Sequence, residues 1–315
     1  KVLLYLNPSL EVTSLFINGT TSLYEREKQV IGVPARLSPG DSLLLELSYK
    51  GQIDERICYL NVPDAEIADT RERMYLACRL GKRYSYLRKD FTLLIPEVLW
   101  YPTTVPPENP GSPYDNSRDF TRYSLRVRNY GKNKVISQGM RMKKGDQLVF
   151  RNESPLPGLT LNIGDYVTRQ LIVDSVTYEL HVWRKHASLL KLLNDRLLPS
   201  SVREGTSARS IIRGARHVAE ISAGSKYPYK RFQLVETPLD FTSYFRNEMK
   251  CSGFVQPEVL YFPERGFGTK IFSSEVEVAV HLLLFREEVW RNTFSWNKIL
   301  GWNMLWNKII INRRR

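Results

Sequence analysis

The chain has 315 residues, 42% of them hydrophobic and 25% charged, with a mean hydropathy of −0.34, a composition that excludes a disordered or collagen-like chain and suits one large or two ordinary domains. Forty-six Lys and Arg against 33 Asp and Glu give a net charge of +13, which favours an anionic partner such as nucleic acid or a lipid surface. No apolar run approaches the length of a membrane span. Cys58, Cys78 and Cys251 form neither a metal pattern nor a disulfide framework and are expected as buried free thiols. The chain opens on Lys1 without an initiator Met or a signal peptide, so it reads as a piece of something longer.

The first two hundred residues read as β structure. Residues 12–17 run into Asn18-Gly19, a hairpin-type turn, residues 29–33 precede Pro39-Gly40-Asp41, and 43–49 and 57–62 continue the series. The proline-dense stretch 102–113 predicts an irregular loop. Strands are expected again over 120–127, 134–138, 147–150, 160–163, 166–173 and 175–182, which together indicate a sandwich or a saddle-shaped sheet. The basic stretches 71–89 and 122–151 alternate with apolar residues in places such as Tyr123-Ser124-Leu125-Arg126-Val127-Arg128, which puts the charges on a solvated strand face. There is no helix-turn-helix, zinc-finger or RNP pattern, so no specific nucleic-acid partner is expected.

Near residue 185 the period changes. Leu189, Leu190, Leu193, Leu197 and Leu198 suggest a short helix, and Ile211, Ile212, Ala215, Val218, Ala219 and Ser222 keep helical spacing up to Gly224. A domain boundary is placed near residue 200. Strands follow over 231–237 and 256–262, and residues 274–290 have the apolar content of a buried helix.

Tyr227-Pro228-Tyr229-Lys230-Arg231-Phe232-Gln233-Leu234-Val235-Glu236-Thr237-Pro238 resembles the stretch after the first catalytic-domain helix in zinc aminopeptidases of the alanyl-aminopeptidase family, which are gluzincins. That family next has a strand with a G-x-M-E-N motif whose Glu grips the substrate's free amine. The matching place here reads Gly253-Phe254-Val255-Gln256-Pro257-Glu258-Val259-Leu260-Tyr261, so the resemblance makes Gln256 and Glu258 the substrate- or ligand-binding candidates. Where the family has H-E-x-x-H, this chain has His281-Leu282-Leu283-Leu284-Phe285.

A gluzincin needs two imidazoles one helical turn apart and a carboxylate beside the first. His281 is the remnant; Leu282 stands where the general base belongs, Phe285 where the second ligand belongs, and Met304 where the family's third ligand, a Glu, falls. No acidic residue occurs from Gly301 to Arg315. One nitrogen donor does not hold zinc tetrahedrally. His181 and His186 are five apart with no carboxylate or Cys evident beside them and read as surface or satisfied histidines. His217 reads as part of a solvated, Arg-rich helix face, and Glu287 and Glu288 have no metal-bound water to activate. No G-x-S-x-G elbow or P-loop is present.

The resemblance implies an α+β fold: an N-terminal all-β saddle or sandwich over residues 1–200, then a truncated thermolysin-like subdomain over 201–315 that lacks the zinc motif. The stretches 10–19 and 91–102 look most like a bacterial subgroup in which this module is fused to an ABC-type transporter permease. The expectation is therefore a non-catalytic peptide- or protein-binding module without a cofactor, on the extracytoplasmic face of a membrane, with transporter membrane segments and an ATPase subunit as partners where the permease is fused. Two alternatives stand beside it: a zinc metallo-aminopeptidase with a non-standard or incomplete site, and a basic membrane-surface or nucleic-acid interaction module. Trp290, Trp296, Trp302 and Trp306, interleaved with Lys298, Lys308 and Arg313-Arg314-Arg315, suit a core helix first and an interfacial helix second.

Overall fold

The computed structural model describes residues 1–59, 83–105, 120–156, 158–193, 207–223, 226–227, 229–238, 241, 243–245, 249–251, 254–256 and 258–264. The expected helix 274–290, His281, Phe285, Met304, the tryptophan-rich tail, Cys78 and most of the proline-dense loop lie outside the described residues.

Short runs of alternating apolar residues punctuated by turn formers build the opening strands β1 (Val2–Tyr5), β2 (Leu10–Ile17), β3 (Thr20–Thr21), β4 (Glu25–Glu27), β5 (Val30–Val33) and β6 (Leu45–Gly51). The turn between β2 and β3 is Asn18-Gly19, with φ of 49° and 81°, the two positive values that a tight hairpin turn requires. The sheets run β1-β5-β4 and β3-β2-β6. Leu4, Leu6, Leu10, Val12, Leu15, Ile31 and Val33 form one buried cluster between them.

Residues 57–62 were a natural strand by composition, but their described part belongs to a 3-10 turn, Glu55–Tyr59. Side chains compete with the ladder here: Asp54 Oδ1 accepts the Arg56 N–H at 3.0 Å, and Glu55 Oε2 accepts the N–H groups of Tyr84 and Ser85 at 3.1 and 3.3 Å. The chain continues through β7 (Tyr86–Leu87), β8 (Phe91–Leu94), β9 (Ser124–Val127), β10 (Lys134–Ile136), β11 (Met140–Lys144), β12 (Gln147–Arg151) and β13 (Leu161–Gly164), in antiparallel sheets ordered β10-β13-β8-β7 and β11-β12-β9. Strand β11, Met-Arg-Met-Lys-Lys, is mostly exposed, and neither of its alternate methionines is buried. It is a strand because the turn at Gly145 folds it back on β12 in full register.

The last sheet is built from β14 (Tyr166–Val173), β15 (Val176–Trp183), β16 (Arg231–Thr237), β19 (Phe254–Gln256) and β20 (Val259–Pro263), with the small β17 (Ser243–Phe245) and β18 (Met249–Cys251) pairing apart from it. Its order is β14-β15-β16-β20-β19, with β15–β16 and β16–β20 parallel. The sheet thus takes two strands from before residue 200 and three from after it. Residues 256–262, expected as one strand, fall instead across the β19–β20 hairpin, which reverses at Glu258, whose φ is 69°.

The described part of the leucine-rich helix expected near 189–198 belongs to a 3-10 segment, Arg184–Leu192, that starts earlier and kinks at His186; Leu197 and Leu198 lie outside the described residues. Helix α1 (Ala208–Ala223) follows the predicted periodicity. Ser207 and Ser210 cap it reciprocally, each hydroxyl accepting the other's backbone N–H at 3.2 and 3.0 Å. Arg213 and Arg216 reach the β14–β15 turn, at 2.8 and 2.6 Å from the Asp174 carboxylate, and His217 is exposed. The protein is mostly β-sheet, and among the described residues no helix is long and apolar enough to cross a membrane.

Among the described residues one core joins the two halves: Tyr86, Phe91, Leu93, Ile95 and Ile136 pack with Tyr166, Val235, Val259 and Tyr261. Near it Asn7, fully buried, donates from Nδ2 to the carbonyls of Asp54 and Val98 at 2.9 and 2.8 Å. Its Oδ1 accepts from the N–H groups of Ser9 and Asp54, both at 3.1 Å. Asn7→Ala leaves these backbone groups buried without partners and is expected to cost about 2–4 kcal/mol, read as a lowered urea midpoint of the intact chain; an unchanged midpoint contradicts this account.

Candidate functional site

Gln256 and Glu258 both sit at the β19–β20 reversal, on the edge of the five-stranded sheet. Gln256 pairs with Val259 through its backbone, and its side chain lies outside the described residues. Glu258 reaches away from its own sheet to the end of β10. Its Oε2 accepts the Gly139 N–H at 2.7 Å and lies 3.6 Å from Arg231 Nη2.

Arg231 begins β16, and alternation places Gln233 on the same face. Arg231 Nη2 donates to the Ser137 and Gly139 carbonyls at 2.8 and 2.5 Å, and Gln233 Nε2 donates to Ser137 at 3.1 Å. Gly139 is required: its φ is 84°, and a Cβ there would stand 2.5 Å from the Arg151 carbonyl oxygen. Burial pushes the Glu258 carboxyl up from its ordinary value, and the Gly139 N–H and Arg231 offset this only in part.

Beside this contact lies a cavity of about 530 Å³ between β10–β12 and the polar face of β14–β16. Along its wall runs a chain of four side chains. Lys134 Nζ bonds Thr168 Oγ1, which lies 2.7 Å from His181 Nδ1; His181 Nε2 lies 3.1 Å from Glu179 Oε2. A lysine has only donors and a carboxylate only lone pairs, so with a neutral imidazole the order is fixed. The ammonium donates to the hydroxyl, the hydroxyl to Nδ1, and Nε2–H to the carboxylate.

The electrostatics agree with that order. Burial holds the His181 imidazole below its ordinary value despite Glu179. Burial pushes the Glu179 carboxyl up, but the hydrogen bonds and charge of His181, the Arg231 charge and the Gln170 amide outweigh it, and the net shift is downward. The pair is thus a neutral imidazole and a carboxylate. Lys134 is held below its ordinary value by burial and by the nearby Arg141.

Both histidines therefore have the carboxylate partner that the sequence alone did not reveal. His181 is 4% exposed, and its partner Glu179 is two positions earlier, on the same strand face. That i, i+2 spacing was the available signal. His186 Nδ1 lies 2.5 Å from Glu236 Oε1, a fully buried oxygen, and Glu236 also accepts the Trp183 N–H at 2.9 Å. No sequence signal linked those two, because the parallel crossover alone brings them together. Among the described residues no three His, Cys, Asp or Glu side chains converge as a metal site.

No protein-family profile matches the chain, and no curated protein does so. Solved structures do. An M1 zinc metallopeptidase from Deinococcus radiodurans superposes with a TM-score of 0.54 at 14% identity, over 90% of this chain and 55% of its own. An aminopeptidase A of Legionella pneumophila, solved with aspartic acid, gives 0.55 at 8% identity, over 90% of this chain and 29% of its own. Yeast LTA4 hydrolase gives 0.55 at 12% identity, over 99% and 43%. The chain spans about half the length of the Deinococcus structures it matches. At these identities the likeness is one of fold: a distant aminopeptidase-like architecture, rich in β-sheet as in the N-terminal β domain of those enzymes.

A carboxyl whose folded pKa is raised favours the folded state below the unfolded value of 4.5 and gives up that advantage as pH climbs through the folded value. Glu258→Gln keeps an acceptor for Gly139 and does not titrate. The variant is expected to gain stability relative to the wild type between about pH 4 and pH 7, measured by urea unfolding at several pH values. A difference that is flat, or that falls with pH, refutes the buried-carboxyl assignment.

Proposed function

We propose that this chain is a non-catalytic, aminopeptidase-like module that binds a peptide or protein, with a β-saddle over residues 1–200 and a partial thermolysin-like unit over 201–315. The observation that carries the reading is the donor set at the place of the family's zinc motif. His281 is accompanied by Leu282, Phe285 and Met304, and a side-chain set of one imidazole, two hydrocarbons and a thioether does not suit a hydrolytic zinc ion. Zinc fits the fold family but not these residues, and no step of a reaction is assigned to it.

Two further observations support the reading. Glu258, a candidate to hold a substrate amine, is engaged by Gly139 and Arg231. The second is the likeness in fold to aminopeptidases, in which peptide is the natural ligand class. The transport setting, an extracytoplasmic module beside permease segments and an ATPase, rests on the resemblance of residues 10–19 and 91–102 to permease-fused relatives.

The competing reading, a metallo-aminopeptidase with a non-standard site, draws on the same likeness, since the Deinococcus neighbour is a zinc metallopeptidase. Purified chain incubated with aminoacyl-anilides and added zinc is expected to release no aniline product above the protein-free rate. Release that is abolished both by a chelator and by His281→Ala would establish the competing reading instead.

A further inference from the structure

We infer that the cavity between β10–β12 and the five-stranded sheet binds the carboxylates of an acidic peptide, through Lys134, Arg141 and Arg151. This inference deepens, and rests on, the peptide-binding reading above. The three cations line the cavity from three successive strands. Among the described residues none of them has a carboxylate within ion-pair distance.

The cavity's own carboxylates are all engaged. Glu153 is 3.1 Å from Lys230; Glu179 is bonded to Gln170 at 2.6 Å and His181 at 3.1 Å; Glu258 is bonded to Gly139 at 2.7 Å. His181, being neutral, adds no charge. Among the described residues five cations, Lys134, Arg141, Arg151, Lys230 and Arg231, line the cavity against these three carboxylates, so the surplus is positive, and the three cations without an ion pair lie on the β10–β12 side.

Lys134 is the centre of that surplus. It is half-buried, and its ammonium uses one donor on Thr168 and keeps two; burial and the like charge of Arg141 oppose that charge, and Glu179, already bonded to His181 and Gln170, offsets them only in part. An anion placed between the two relieves both the repulsion and the desolvation. Asn152, also on the cavity wall, has a buried amide whose oxygen and nitrogen are both without a hydrogen-bond partner. A peptide group has the matching donor and acceptor. A volume of about 530 Å³ falls within the range of about 300–1,000 Å³ that ligand pockets occupy, which suits a few residues of chain better than a bare ion.

The test is calorimetric titration of the intact chain with triglutamate and with trialanine at physiological salt. Triglutamate is expected to bind at least about tenfold more tightly than trialanine, and Lys134→Met and Arg141→Ala to lose about tenfold each for triglutamate. Lys143→Ala, an exposed charge on β11 outside the cavity, is expected to leave the affinity unchanged. Thermal melts check each variant's fold, and Arg141→Ala, at an exposed position, carries the test where Lys134→Met does not fold.

Equal binding of the two peptides overturns the inference and leaves the peptide-binding reading standing; binding of neither overturns both. Lys143→Ala weakening triglutamate as much as Arg141→Ala does replaces the site with a diffuse surface field and overturns it. Inorganic phosphate displacing triglutamate at equal concentration makes the site one for a bare oxyanion and overturns the peptide assignment. Hydrolysis of triglutamate overturns the non-catalytic reading and leaves the site standing.

Discussion

The three residues Ser137–Gly139 constrain the rest of this structure. They leave β10 for the interior, all three buried, and backbone groups buried without a partner cost on the order of 1–3 kcal/mol each. The later sheet supplies what the strand ladder no longer does: Arg231 and Gln233 donate to the carbonyls, and Glu258 accepts the Gly139 N–H. The side chains of this segment continue the seam. Ser137 Oγ donates to the Thr160 carbonyl at 2.7 Å, and Gln138 Oε1 accepts the Thr160 N–H at 2.9 Å. Thr160 in turn meets the buried Tyr261 hydroxyl at 2.8 Å. The two halves are thus joined by polar groups that only the other half can satisfy, around a core that both share.

That constraint also explains why the charged groups near Glu258 divide into two sets. Arg231 and Glu258 are committed to the seam, so their charges are spent on structure. Lys134, at the start of β10, faces the cavity instead, where it meets the Thr168 hydroxyl, the like charge of Arg141 and the opposite charge of Glu179. A family-based reading looks first at the carboxylate; the geometry puts the uncommitted charge on the strands opposite it. Of those strands β11 is held by hairpin register rather than by burial, which leaves its side chains free to face solvent and cavity, whereas β10 and β12 are anchored by the buried Val135, Ile136, Leu148, Val149 and Phe150.

Much of the fold was legible. The strands expected over 166–173 and 231–237 match the bounds of β14 and β16, and Asn18-Gly19 names its own turn. What was hidden depended on partners distant in sequence. Glu55 turns a strand-like segment into a 3-10 turn by bonding to Tyr84 and Ser85, and β11 pairs despite having no buried face. At the candidate site, Glu258 was reachable through the motif it sits in. Lys134 and Thr168 were not, because β10 and β14 meet at the cavity without any local pattern that records it. Glu179 and His181 were the exception, two alternate residues of one strand.

The parallel pairing of β15 with β16 has a consequence for how the chain is made. On one side Thr177 pairs at once with Ile172 of β14; on the other its partner is Arg231, and the intervening segment must be synthesised first, a delay of several seconds at ordinary elongation rates. Through that interval the inner edge of β15, a run of Val, Tyr, Leu and Val with its backbone N–H and C=O groups unpaired, is open to any other strand it meets. A nascent chain of this protein therefore passes through a stage in which a strand buried in the finished sheet is an edge, and the demand for chaperone protection falls on that stage of synthesis rather than on the finished fold.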